Sequence, residues 1–157
     1  MAALLDRLVE GLPHPPVVYV SNGPWNLAGP ITHFLERHDF PAGALLLTDW
    51  GITPRAWFRS GRAHKRSSLE RLAADLPGVR WVLVGDDGEH DPAIYADFAR
   101  SHPDRVIAIA LRTVAPIGTE PPQTEERVGG VPVVRAGDGR ALADLLHRTG
   151  VLDTARL

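Results

Sequence analysis

The chain has 157 residues, 44% apolar and 23% charged, with a net charge of -2. That is one domain able to bury a substantial core, with no whole-chain excess of positive charge to draw a nucleic acid. The absence of cysteine excludes disulfides and thiolate metal sites and fits a reducing compartment.

At the N-terminus, Leu4, Leu5, Leu8, Val9 and Leu12 recur at helical spacing and are interrupted by Asp6, Arg7 and Glu10. This predicts an amphipathic helix rather than a signal peptide. Residues 17–21 then read as a strand, and Leu27, Ile31, Phe34 and Leu35 mark a helix. A second strand at 44–48 is followed by a helix on Leu69, Leu72, Ala73 and Leu76. A third at 81–85 is followed by one on Ile94, Phe98 and Ala99. A fourth strand at 106–111 leads into residues 115–130, which are rich in Pro, Gly, Thr and Glu and are expected to be a mobile surface loop. A fifth at 131–135 precedes a helix after Asp138 that carries Leu142, Leu145 and Leu146. Continuous apolar strands alternating with helices predict a single domain over 1–157, a three-layer, doubly wound parallel α/β sheet. No apolar run approaches the roughly 20 residues of a bilayer span. The expectation is a cytoplasmic domain, with peripheral contact to a membrane surface left open.

In such sheets ligands sit beyond the carboxyl ends of the strands. There the sequence places Ser21-Asn22-Gly23-Pro24-Trp25, then Asp49-Trp50-Gly51, then Gly85-Asp86-Asp87-Gly88-Glu89-His90-Asp91. Hard cations such as Mg²⁺ take one or two carboxylates together with water and phosphate, so Asp86, Asp87 and Asp91 are candidate ligands. Adjacent carboxylates also repel unless something compensates them. Asp91, just before Pro92, reads as a helix cap too. The Ser21 hydroxyl and the backbone N–H groups around Asn22 and Gly23 are suited to a phosphoryl oxygen, although Ser-Asn-Gly-Pro alone is an ordinary turn. Arg62, His64, Lys65 and Arg66 precede the third predicted helix. Lys65 is placed to offset phosphate charge, against the blander reading of a solvated basic surface. A cation at a helix N-terminus is disfavoured by the dipole, so an anion is expected nearby. His33, His38, His102 and His147 have no metal-ligand spacing and read as surface residues.

Four segments taken together resemble a known family: Tyr-Val-Ser-Asn-Gly-Pro-Trp (19–25), Leu-Leu-Leu-Thr-Asp-Trp-Gly (45–51), Gly-Arg-Ala-His-Lys (61–65) and Val-Leu-Val-Gly-Asp-Asp-Gly-Glu-His-Asp-Pro (82–92). They are similar to motifs two to four of haloacid-dehalogenase phosphatases. More narrowly, over roughly 15–114, they resemble the phosphatidate phosphatase family first defined on an actin-patch-associated yeast enzyme. The resemblance implies a haloacid-dehalogenase-like, Rossmann-like fold and Mg²⁺-dependent hydrolysis of phosphatidate, a phospholipid, to diacylglycerol and phosphate. By the same resemblance Ser21 hydrogen-bonds the transferring phosphoryl group and Lys65 stabilises its charge. Asp86 binds Mg²⁺ and Asp87 or Asp91 orients the metal shell. Asn22, Gly23 and His64 fall on the substrate side, while Trp25 and Asp49 match family positions of open role.

One departure stands out. The superfamily nucleophile lies in an Asp-x-Asp motif on an earlier strand, at the sheet centre between the strands of Ser21 and Asp86, and no Asp-x-Asp occurs here. The resemblance therefore implies a chain that begins after that strand, with two apolar strands left to gape or to pair directly, and incomplete activity. The alternative is a module that binds phosphate or lipid head groups without turnover. The blandest reading is a doubly wound domain for protein contacts, its motifs being relics.

Overall fold

The computed structural model describes residues 1–48, 54–116, 119 and 121–154. Its apolar runs form the strands β1 (Val18–Pro24), β2 (Ala44–Thr48), β3 (Trp81–Asp86), β4 (Val106–Arg112), β5 (Thr124–Val128) and β6 (Val131–Ala136). Between and around them lie α1 (Ala2–Val9), α2 (Ala28–Arg37), α3 (Pro54–Asp75), α4 (Asp91–Ser101), α5 (Gly139–Arg148) and α6 (Val151–Thr154). Strands β3, β4 and β6 pair in parallel, and β5 closes one edge antiparallel to β6. The pleat sorts their side chains onto two faces. Ala108, Ala110, Val134 and Ala136 pack with Leu4 of α1 and Leu142 and Leu146 of α5. Ile109, Leu111 and Val133 pack with Leu69 of α3 and with Ile94 and Phe98 of α4. This part is the expected three-layer arrangement. Asp138 caps α5, its carboxylate accepting from the Arg140 and Ala141 N–H groups at 2.8 and 2.9 Å, which satisfies two of the first-turn amides.

Three expectations are corrected. Residues 115–130 are not all loop, because β5 lies within them. Four of its five side chains are exposed, so no apolar rhythm announced it. It is joined to β6 by Gly129 and Gly130, both at positive φ (58° and 86°), as a tight hairpin turn requires. The basic cluster does not precede a helix, for α3 begins at Pro54 and carries Arg62, His64, Lys65 and Arg66 in its interior. Residues 61–68 show no apolar repeat, so a reading by periodicity begins the helix too late. Lys65 therefore sits well beyond the first turn of α3, where the helix dipole does not disfavour a cation. Finally, the strands do not form one parallel sheet.

Strand β1 pairs in parallel with β2, matching Tyr19 to Leu45 and Val20 to Leu46, and these two stand apart from the other four. Among the described residues no strand joins β1 to β3. Between them is a slot of about 810 Å³, bounded by Val18 and Val20 on one side and Val82 and Val84 on the other. Leu5 and Leu8 of α1 and Leu69 and Leu72 of α3 also line it. The two strands gape, as one arm of the expectation had it. The burial pattern follows: β4 and β6 are almost wholly buried, β1 is only half-buried, and α2 buries no residue.

Candidate functional site

One helix holds the site together. Gly61 of α3 lies against Asn22 at the carboxyl end of β1, so closely that a Cβ there would sit 2.6 Å from the Asn22 Nδ2. One turn on, His64 Nε2 is 3.3 Å from the Leu46 carbonyl oxygen of β2, and Lys65 forms an ion pair with Asp91 at the start of α4. Asp91 in turn touches Gly85, at the end of β3, where a Cβ would lie 2.4 Å from its Oδ2. The carboxyl ends of β1 and β3 therefore flank the same turn of α3, and Ser21, Lys65, Asp86 and Asp91 all line the slot.

Each of these groups has a local partner. Ser21 Oγ accepts the Gly23 N–H at 3.1 Å, the short side-chain-to-backbone bond of a serine turn. The buried Thr48 hydroxyl donates to the Asn22 carbonyl at 3.1 Å, fixing the same turn from β2. Asn22 Oδ1 is buried with no hydrogen-bond partner among the described residues. His64, read as substrate-binding, is engaged with the frame, joining α3 to β2. Asp86 Oδ1 accepts the Gly88 N–H at 3.0 Å, which leaves its second oxygen. Asp87 turns away from the slot, its Oδ1 accepting the Val114 N–H at 2.8 Å just beyond β4. Asp91 is not the cap of α4. His90 holds that position, with no side-chain bond, and the Asp91 carboxylate goes to Lys65. Asp49 lies outside the described residues. Trp25 is 65% exposed, with Leu27 and Phe34 also exposed nearby in the chain.

Sequence reasoning missed Tyr95. It is buried, its hydroxyl donates to the Val84 carbonyl at 3.2 Å, and the Lys65 Nζ stands 5.9 Å from its ring centroid. Burial, then the charges of Asp91 and Asp86, push its pKa well above the ordinary tyrosine value. Its signal was spacing: Tyr95 follows Asp91 by four residues, hence on the same helical face. A second signal lay in composition. Lys65 is the only lysine in a chain with sixteen arginines. An ammonium is a compact point charge where the planar guanidinium fork is not, so the exception marks a position with its own demand.

Among the described residues no three His, Cys, Asp or Glu side chains gather in a metal-holding group. Asp86 and Asp91 nonetheless share the slot, and each retains a carboxylate oxygen free of the hydrogen bonds above. That fits the protein's part of a Mg²⁺ site, which typically takes one or two carboxylates and completes its octahedron with water and phosphate oxygens. Asp87 does not fit it.

Residues 1–113 match the family model described as "Phosphatidate phosphatase APP1, catalytic domain". An uncharacterised protein of Schizosaccharomyces pombe is 33% identical over 99 residues, covering 62% of this chain and 16% of its own length. Phosphatidate phosphatase APP1 of Saccharomyces cerevisiae is 26% identical over 111 residues, covering 70% of this chain and 19% of its own. The chain thus spans less than a fifth of these curated relatives. No solved structure matches it.

Proposed function

Since this chain belongs to the phosphatidate phosphatase APP1 catalytic-domain family, we propose that it forms the phosphate-handling part of a Mg²⁺-dependent phosphatidate phosphatase. The observation that carries this reading is the gathering of Ser21, Lys65, Asp86 and Asp91 around one turn of α3 at the end of the slot.

In this reading the phosphate enters at the carboxyl ends of β1 and β3. The Ser21 hydroxyl exchanges its local bond for a phosphoryl oxygen, and the Lys65 ammonium swings from Asp91 to another. Such preorganised charge is worth most where the transferring group gathers negative charge. The charges lining this end balance: Asp86 and Asp91 give -2, while Lys65 and Arg112, the register partner of Asp86, give +2. A phosphate dianion therefore arrives uncompensated. Asp86 and Asp91 would hold a Mg²⁺ ion, whose two charges offset the dianion and the developing charge on its oxygens. With Lys65 turned to the phosphate, Asp91 would be free to help hold that ion.

Hydrolysis also needs a nucleophile. The slot supports the reading that a further strand lies between β1 and β3 and brings one. Among the described residues β1 and β3 each keep one edge unpaired, and backbone N–H and C=O groups shut away from water need partners. A strand supplies them, whereas an acyl chain in the same space would leave them unpaired, at a cost of about 1–3 kcal/mol each. Its carboxylate would attack phosphorus as the phosphorus–oxygen bond to the lipid breaks. The diacylglycerol oxygen takes a proton from water, and a further water then cleaves the acyl phosphate, releasing phosphate and restoring the carboxylate.

The test is phosphate release from phosphatidate vesicles with Mg²⁺ or with EDTA, using a chain that carries an added apolar strand ending in Asp-x-Asp. Mg²⁺-dependent release, lost in Asp86→Asn, is the expected result. Tight binding of vesicles without release, strand included, would leave the head-group-binding reading standing instead.

A further inference from the structure

The packing around Lys65 assigns a task to a residue outside the four motifs. Gly85, Asp91, Tyr95 and Lys65 form one close unit. A Cβ on Gly85 would lie 2.4 Å from Asp91 Oδ2 and 2.9 Å from Tyr95 Cε2, so the missing side chain makes room for both. Asp91 and Tyr95 stand one turn apart on α4 and meet Lys65 together, the carboxylate by an ion pair and the ring at cation–π distance. The lysine side chain is 15% exposed, so its charge is largely shielded from water and feels the ring more strongly than a surface cation would. A phenylalanine would fill this part of the core equally well. The hydroxyl of tyrosine must be satisfied when buried, and it is, by the Val84 carbonyl two residues before Asp86. One side chain thus contacts the cation and the strand that carries the carboxylate.

We propose that Tyr95 is a positioning residue of this site, its ring steadying the Lys65 ammonium beside Asp91 and its hydroxyl fixing the end of β3 from which Asp86 projects. The role towards Lys65 stands on geometry alone; its consequence for phosphate rests on the phosphatase reading.

That Lys65 is the only lysine makes the test direct. In the full chain grown with ¹⁵N-lysine, a single side-chain ammonium signal is available, and it is expected to be protected from solvent exchange. Tyr95→Leu should displace or abolish it. Pentafluorophenylalanine at position 95 keeps the ring's shape but reverses the charge on its face, and should do the same. Tyr95→Phe should leave the signal in place while shifting the backbone amides of Gly85 and Asp86. A Lys65 signal unmoved by pentafluorophenylalanine would overturn the proposal, even if the leucine variant failed to fold.

Inorganic phosphate titrated with Mg²⁺ and read on the same signal supplies the second arm. On the proposal the ring still faces the ammonium once it has turned from Asp91 to phosphate, so apparent affinity should fall in the pentafluorophenylalanine variant, by at most about thirty-fold, the upper worth of a partly desolvated cation–π contact. Unchanged phosphate affinity in that variant overturns the positioning role. A wild-type signal that ignores phosphate and Mg²⁺ altogether would sink the phosphatase reading, while the ring's hold on Lys65 would be upheld by the first arm.

Discussion

Replacing Lys65 by methionine keeps most of its length and removes its charge. The Asp91 carboxylate is then left 13% exposed, with Asp86 close by and the Tyr95 ring against it. For exposed ion pairs the loss is small, about 0–1 kcal/mol. At 13% and 15% exposure the Lys65–Asp91 pair lies towards the buried limit, where removing one partner costs about 3–5 kcal/mol because the other charge stays uncompensated. The remaining exposure puts the expectation for Lys65→Met at about 3 kcal/mol. Asp91→Asn, which strands the ammonium but keeps an amide oxygen beside it, should cost about 2 kcal/mol. The double variant removes both charges and should cost less than the sum by about 2 kcal/mol. Urea denaturation in EDTA, with slopes checked for constancy, measures all four corners of this cycle. Additivity within about 0.5 kcal/mol would refute the pairing. The cycle has a metal arm as well. With the competing ammonium gone, Mg²⁺ should raise the denaturation midpoint of Lys65→Met more than that of the wild type, through mass action on the freed carboxylates.

Three further outcomes are expected. Tyr95 is held neutral in the fold above its ordinary pKa of 10.0, so the unfolded chain ionises first. The stability involved is intact below pH 10 and is lost as pH rises beyond it, by up to about 1.4 kcal/mol per pH unit. Denaturation midpoints at about pH 9 and pH 11 should therefore separate less in Tyr95→Phe than in the wild type, and the opposite order would contradict the burial of that hydroxyl. Gly61→Ala drives a methyl to 2.6 Å from the Asn22 amide, and overpacking should outweigh the gain in helix propensity for a net loss of about 1–2 kcal/mol in thermal denaturation. Asp87→Ala frees the exposed Val114 N–H for about 1 kcal/mol or less and should leave Mg²⁺-induced stabilisation intact, whereas Asp86→Ala should abolish it.

Continuous apolar runs make these strands legible: 44–48 coincides with β2, and 81–85, 106–111 and 131–135 match β3, β4 and β6 to within a residue at one end. Strand β5 is not, since Thr124, Glu125, Glu126 and Arg127 hold their place by backbone pairing to β6 while their side chains face water. Its one local sign, Gly129-Gly130, is a two-residue hairpin signal that also fits a loop rich in Pro, Gly, Thr and Glu. The polar clusters at strand ends were legible as clusters, but their internal division of labour was not. Asp86, Asp87 and Asp91 read alike in sequence. In space one caps its own turn, one accepts the Val114 N–H just beyond β4, and one pairs with Lys65 of α3. Only the last contact involves a residue far along the chain that also belongs to a motif.

The division into two sheets bears on how this site is controlled. Ser21 is fixed by β1 and Thr48 by β2, while Asp86, Asp91 and Tyr95 are fixed by β3 and α4. Strand pairing rigidifies each half, but among the described residues no backbone ladder joins them, and the polar links described across the site run through α3. Sheet geometry therefore does not set the distance from Ser21 to Asp86. It is set by how α3 rests on both halves and by whatever occupies the slot between them. A strand inserted there would hydrogen-bond both edges at the spacing of about 4.7–4.9 Å that any sheet imposes, and would thereby fix the separation of the serine from the carboxylates. Phosphoryl transfer depends on placing its groups within fractions of an ångström. Filling the slot should therefore sharpen the Lys65 environment and the Mg²⁺ response together.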